Sequence, residues 1–430
     1  MNKSRAYLQW SFVQLFFVVS VIFSVMFGVY SPNITSNLSI NQAQFGWLSG
    51  IFFIFYAVVQ FYSGKLFVKL PPRAILFVSA LISAGGCFIL SMAPSLTFLL
   101  IARILLGIGL AATYVGVLYI IQKNFLSTAF PVMSSLSQCL ANLAGTSCAF
   151  FGGIIITYLN YNAFFIILAI AFVICAICML AFVKDNGNNS STLTKDSSLV
   201  DDMKIILKNA QVWWAAIFFT GLFGAIISFA NLFATSFQVN AFDISTTQAV
   251  AITSMILLGV TIGSVLAGII SDRLNNYAFT ARVFALISML SFIIVLYVRL
   301  NFLPHHSDAF MVYFIFGFGL GGSVLAFQGI QENVVEENLR PLATSFVLTI
   351  SYIFTGFVEQ PIIGQILNSV KVIMTNVSPE QLALLHGKTF LDLNAHDELY
   401  RYSAGLTFVL LTLIASFIAS LFLKKPMLKN

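Results

Sequence analysis

Apolar runs of about 20 residues, the length at which a helix crosses the hydrocarbon of a bilayer, recur twelve times along this chain. They lie near 10–31, 44–67, 74–93, 96–122, 129–157, 163–183, 213–239, 247–270, 282–300, 309–332, 342–367 and 402–423. With 59% hydrophobic residues, 8% charged and a mean hydropathy of +0.95, the chain lies far from soluble domains, where roughly a quarter of residues carry charge. It reads as an all-α integral membrane protein of twelve transmembrane helices.

The basic residues set the orientation. Sixteen of the 21 Lys and Arg, from Lys3 and Arg5 through Lys65, Arg73, Lys123, Arg273 and Arg340 to Lys424, fall on the side of the N-terminus, and only four on the other. The positive-inside rule therefore predicts cytoplasmic termini. The net charge of +6 is a topology signal and not a nucleic-acid patch. Lys3 and Arg5 precede the first span as they would in a signal peptide, but that span is long and lacks a small-x-small cleavage site, so it is expected to stay in the mature protein. All five cysteines lie in predicted spans, which excludes an extracellular disulfide framework, and Cys175-x-x-Cys178 in an apolar segment reads as buried thiols. No metal or cofactor is expected.

The one long internal polar stretch, KDNGNNSSTLTKDSSLVDDMKIILKNAQ (184–211), divides the chain into an N-terminal six-helix bundle (1–183), a cytoplasmic linker (184–212) with a short amphipathic helix near 200–209, and a C-terminal six-helix bundle (213–430). The two halves echo each other. Setting Gly64 against Gly268 also aligns Ile40 with Ile244, Gln44 with Gln248 and Lys69 with Arg273, and RILLGIGLAAT (103–113) matches YFIFGFGLGGS (313–323). Internal repeats in a polytopic protein point to a transporter with its binding site at the repeat interface near the midplane. GFGLGG (317–322) lies in an apolar helix with no preceding strand, so it reads as close helix packing rather than a dinucleotide fingerprint.

These motifs carry a resemblance: the chain resembles the major facilitator superfamily, whose loop between spans two and three reads G-x-x-x-D-R-x-G-R-R, with a weaker copy between spans eight and nine. GKLFVKLPPR (64–73) keeps Gly64, Lys69 and Arg73 but has Val68 in place of the aspartate, whereas GIISDRLNNY (268–277) keeps Gly268, Asp272 and Arg273. The resemblance thus implies gating loops with the charge latch moved to the second half. The span-four pattern R-x-x-x-G-x-G is met by Arg103, Gly107 and Gly109. The antiporter motif of span five survives only as Gly152 and Gly153, against a drug/proton antiporter; its span-eleven counterpart is Pro361 and Gly364, just after Glu359 and Gln360. Within the family, SMILLGVTIGS (254–264) and EQPIIG (359–364) are similar to bacterial members that resemble the lysosomal dipeptide transporter. That group is associated with amino acids, short peptides and carboxylate siderophores, and the likeness implies a bacterial inner membrane.

Polar residues within a bundle face its interior or a wet cavity. Spans three, six, nine and twelve hold few and read as lipid-facing, while stripes at helical spacing mark the others: Ser20 and Ser24, Tyr56 and Gln60, Gln138 and Asn142, Ser228, Asn231, Thr235 and Gln238, and Ser345, Tyr352 and Glu359 every seventh residue on one face of span eleven. Arg103, Tyr114, Asn142, Asn231, Ser24 and Gln328 are the candidate solute contacts. Singly, Ser and Thr in such helices also bond their own backbone. The four histidines fall in predicted external loops, none placed for a proton relay.

Two charges lie deep in the spans, Arg103 about 10 Å from the outer side and Glu359 about 27 Å from the inner side at 1.5 Å per residue. Three readings stand side by side. Arg103 forks onto a substrate carboxylate while the desolvated Glu359 takes up a coupling proton; or the two pair across the halves and close the outer gate; or Arg103 bonds backbone carbonyls and Glu359 a neighbouring helix. The expected activity is secondary transport of a small, carboxylate-bearing organic solute by a proton-coupled monomer in the lipid bilayer, without nucleic-acid partners. An uncoupled facilitator or exporter of the same fold is the nearest alternative, and a non-transporting sensor the one from another class. No Walker motif or catalytic cluster is present to make the chain a pump or an enzyme. The polar external segment 371–401 contains SPEQLALLHGKTF (378–390), which reads as a helix over the outer mouth.

Overall fold

A computed structural model of the protein describes residues 3–125, 130–183, 199–242, 244–298, 306–334, 339–376 and 390–424. In hydrocarbon every backbone N–H and C=O must find its partner within the segment, so the apolar runs become helices. The described spans are Ser4–Val29, Gln42–Ser63, Pro72–Met92, Leu96–Asn124, a bent pair Leu136–Phe150 and Gly152–Tyr158, Tyr161–Phe182, Ala210–Phe242, Thr246–Ser271, Tyr277–Tyr297, Asp308–Asn333, Leu342–Val370 and Glu398–Leu421. Counting the bent pair as one gives twelve.

Local chemistry starts these helices. The Asn41 side chain accepts from the Gln44 N–H at 2.8 Å while the Gln44 side chain accepts from the Asn41 N–H at 3.0 Å, a closed capping box at the head of span two. At its repeat equivalent the Ser245 hydroxyl accepts from the Gln248 N–H at 3.3 Å and donates to the Gln248 side-chain oxygen at 3.2 Å, capping span eight without the backbone half of the box. Asn160, Asn209 and Asn276 cap spans six, seven and nine. In the linker, Leu199–Lys208 forms the expected amphipathic helix, with Ile206 buried and the Leu207 carbonyl accepting from the Trp213 indole N–H. Residues 377–389, most of the SPEQLALLHGKTF stretch, lie outside the described residues.

The repeat seen in the sequence has a packing cause. Gly107 brings span four onto the backbone of span two at Phe52, and Gly109 brings it onto span three at Ser79. Their equivalents Gly317 and Gly319 bring span ten onto Ile256 of span eight and Ser288 of span nine. GFGLGG is therefore close helix packing. Each half thus wedges its fourth helix between its second and third.

Across the halves, the close backbone approaches lie toward the side predicted to be outer, where span one ends and span two begins. Gly28 of span one abuts the Asn231 carbonyl of span seven, and Gly50 of span two and Gly356 of span eleven face each other's carbonyls. Span five, after its 57° bend, meets span eight where Gly153 adjoins Thr247. The Ser31 and Ser236 hydroxyls bridge the halves at 3.1 Å. On that side the two halves are in contact.

Candidate functional site

At mid-depth, about 20 Å along their helices at 1.5 Å per residue, both halves send aromatic side chains to one place. The Tyr56 ring of span two lies 4.9 Å from Tyr352 of span eleven, which also stacks on Phe53 at 5.8 Å and meets Phe223 of span seven edge-on at 5.1 Å. On the other flank Tyr114 of span four packs on Phe17 of span one at 5.0 Å. The Tyr56 hydroxyl faces those of Tyr352 and Thr113, with Tyr114 beside them. All three tyrosines are half-buried. Rings with a polar tip suit a wall that is apolar in body and hydrogen-bonding at its point. Tyr56 and Tyr352 stood in the polar stripes of the sequence, but nothing there ranked them above other aromatics, because 15% of the chain is Phe, Trp or Tyr.

Arg103 takes the backbone-bonding arrangement. Its Nε donates to the Leu48 carbonyl at 3.2 Å and its Nη2 to the Ser49 carbonyl at 2.9 Å, both on span two. The guanidinium also lies over Phe27 at 4.0 Å and Phe52 at 4.4 Å, attracted by the faces of the rings. Only 3% of the residue is exposed. The guanidinium is committed to span two, and no pair with Glu359 forms.

Glu359 is fully buried, but not on the face expected for it. Residues Phe354–Glu359 wind as a π-helix just before Pro361, whose ring and missing N–H disfavour a regular α-turn at this point. One extra residue per turn rotates the following side chains by roughly 100°. Tyr352 therefore faces span two while Glu359 turns into the C-terminal half, correcting the seven-residue reading of a shared face. There Oε1 accepts from the Thr412 hydroxyl of span twelve at 3.4 Å, and Oε2 lies against Gly224 of span seven. Span seven carries its own π-segment beside it, Ala225–Phe233.

The remaining candidates divide. Asn231, half-buried in that π-segment, has an unpartnered Oδ1. Asn142 accepts from the Gln138 side chain at 3.0 Å, one turn away on the half-buried part of span five. The Ser24 hydroxyl donates to the Ser20 carbonyl at 3.1 Å and serves its own helix. Gln328, five residues before the last of span ten, accepts from Ser271 of span eight at 2.8 Å and donates to Glu332 at 3.0 Å. In the gating loops Arg73 and Arg273 are exposed, and a Cβ at Gly268 would touch nothing. The surroundings of Gly64 and Asp272 lie outside the described side chains.

Comparison with known proteins agrees with this architecture. The family description "Major Facilitator Superfamily" matches residues 14–358. A solved bacterial homolog of the human lysosomal transporter Spinster, inward-facing and unoccupied, superposes with a TM-score of 0.78 at 16% identity, covering 100% of each chain. The same homolog in its occupied inward-facing form gives 0.73 at 17% identity, again over 100% of each. The nucleoside transporter NupG gives 0.73 at 14% identity over 99% of this chain and 100% of its own. No curated protein matches in sequence. With twelve spans in two echoing halves and the family pattern running from the first span to the eleventh, the chain belongs to the Major Facilitator Superfamily, membrane transporters that move small solutes by alternating access.

Proposed function

We propose that the protein is a cation-coupled secondary transporter of a small organic solute in a bacterial inner membrane, with cytoplasmic termini, and that the solute binds against Tyr56, Tyr114 and Tyr352. The observation that carries this reading is that these half-buried tyrosines from both halves converge at mid-depth beneath the side on which the halves are in contact. A site shared by the two halves is one that their rocking exposes to each side in turn. Phenol hydroxyls above aromatic walls favour a solute with an apolar or ring-bearing body and oxygen acceptors. A carboxylate is such an acceptor, as amino acids, short peptides, organic acids and carboxylate siderophores offer. Arg103 supports the site from behind by fixing span two. Glu359 carries the coupling cation, a proton in the simplest case.

The test is thermal stabilisation of the purified protein by a panel of those solutes and nucleosides. A ligand at a hundred times its Kd adds about 2.7 kcal/mol. Tyr56→Phe and Tyr352→Phe are expected to lose most of the shift given by the active solute while melting as the wild type does without it. A shift that survives both substitutions places the solute elsewhere.

A further inference from the structure

Ser and Thr hydroxyls on these spans turn back onto a carbonyl three or four residues earlier, as those of Ser20, Ser83, Thr261 and Ser288 do. Ser228 and Thr355 are fully buried and do not. Both hydroxyls are directed at the carboxylate of Glu359 as donors, in contacts too long or too oblique for closed hydrogen bonds, and Glu359 Oε2 is likewise without a closed partner. Three unpartnered oxygens in a fully buried place, on three side chains of two helices, need a common explanation, since a buried polar atom left so is costly.

Their backbone setting is equally unusual. Ser228 lies in the π-helix Ala225–Phe233, and Thr355 and Glu359 in the π-helix Phe354–Glu359. A π-turn withdraws carbonyls from the α-pattern, and such turns cluster at functional sites. Unwound carbonyls on broken transport helices are what coordinate Na⁺. Thr412, whose hydroxyl donates to the Val409 carbonyl at 2.8 Å and lies 3.4 Å from Oε1, completes the ring from span twelve with its oxygen as an acceptor. Gly224 leaves the room, because a Cβ there would collide with Oε2. Asn231, with its own free Oδ1, extends the line of oxygens toward the seam between the halves.

We infer that Glu359, Ser228, Thr355 and Thr412 form a monovalent cation site that takes Na⁺. The donor set is all oxygen, which selects a hard cation. It holds one carboxylate, and no second charged group among the described residues acts on it. One positive charge therefore leaves the site neutral, whereas a divalent ion would leave a buried net charge. A proton would neutralise the carboxylate too, but would leave the Ser228 and Thr355 lone pairs and both π-segments without a use. Occupancy would pin the π-register of spans seven and eleven, and with it Tyr352, seven residues before Glu359. This deepens the cation coupling proposed above and rests on it for its role in transport; the binding itself is testable alone.

The experiment is melting of the full-length purified protein, without solute, in NaCl against KCl and choline chloride at matched ionic strength and pH 8. Saturable stabilisation by NaCl only is expected, abolished in Glu359→Gln. Ser228→Ala and Thr355→Val keep the carboxylate, and each should raise the apparent Kd for Na⁺ at least about tenfold. Coincident curves in NaCl and choline chloride overturn the proposal, as do Na⁺ curves unchanged in Ser228→Ala and Thr355→Val. Stabilisation on acidification alone assigns the carboxylate to a proton and also overturns it. Solute binding measured in choline chloride reads the tyrosine site separately, so failure of the one is not failure of the other.

Discussion

Two hydrogen bonds to span two and the faces of Phe27 and Phe52 hold the only basic residue described deep within a span. That the sequence places Arg103 at membrane depth is plain, because hydropathy is a property of one dimension. Which of its possible partners it meets is not, because Leu48 and Ser49 accept through backbone atoms that every residue carries. Arg103→Gln is expected to lower stability by about 3 kcal/mol, the scale of hydrogen bonds to a charged group, while the Kd of the transported solute changes less than about twofold. Arg103→Lys should not rescue it, since an ammonium cannot fork to two carbonyls. Loss of solute binding at unchanged melting temperature in either variant would return Arg103 to the substrate site. Gln328→Ala, near the end of span ten and bonded to Ser271 and Glu332, should likewise leave solute Kd within about twofold. Equilibrium binding reads both.

Among elements, span eleven shows why a pattern of spacing can mislead. Tyr352 and Glu359 are seven apart, which puts them on one face of an α-helix, yet the π-helix Phe354–Glu359 sends them to different neighbours. Pro361 marked a bend in the sequence; the form of the bend depends on what packs there. Spans two and eleven touch at Gly50 and Gly356 with no side chain between them. Gly50→Val puts a branched side chain into the Gly356 backbone, so the outer side can no longer close. Transport in liposomes should fall more than about tenfold while detergent-state solute binding persists, the sign of a block in the conformational step rather than in the site. Transport at the wild-type rate would mean that the closed outer contact is not part of the cycle.

For the whole molecule, closure of the outer side is a contact between surfaces far apart in sequence. Ser31 and Ser236 meet at 3.1 Å across 205 residues, near enough for a pair of cysteines to bridge. Ser31→Cys with Ser236→Cys, in a background with the five native cysteines replaced, should form a disulfide on oxidation that stops transport and is reversed by reductant. Full activity in the oxidised, cross-linked protein would show that the halves do not separate there. The sequence by itself determined the membrane, the twelve spans, the repeat and, through Gly107, Gly109 and their echoes, the family. These are local or periodic features, fixed by burial of apolar runs and by which residues let backbones approach. The tertiary structure alone decided that Arg103 bonds carbonyls, that Glu359 turns toward spans seven and twelve, and that three tyrosines share one place. Such facts depend on helix rotation and on partners hundreds of residues away, and no window of sequence contains them.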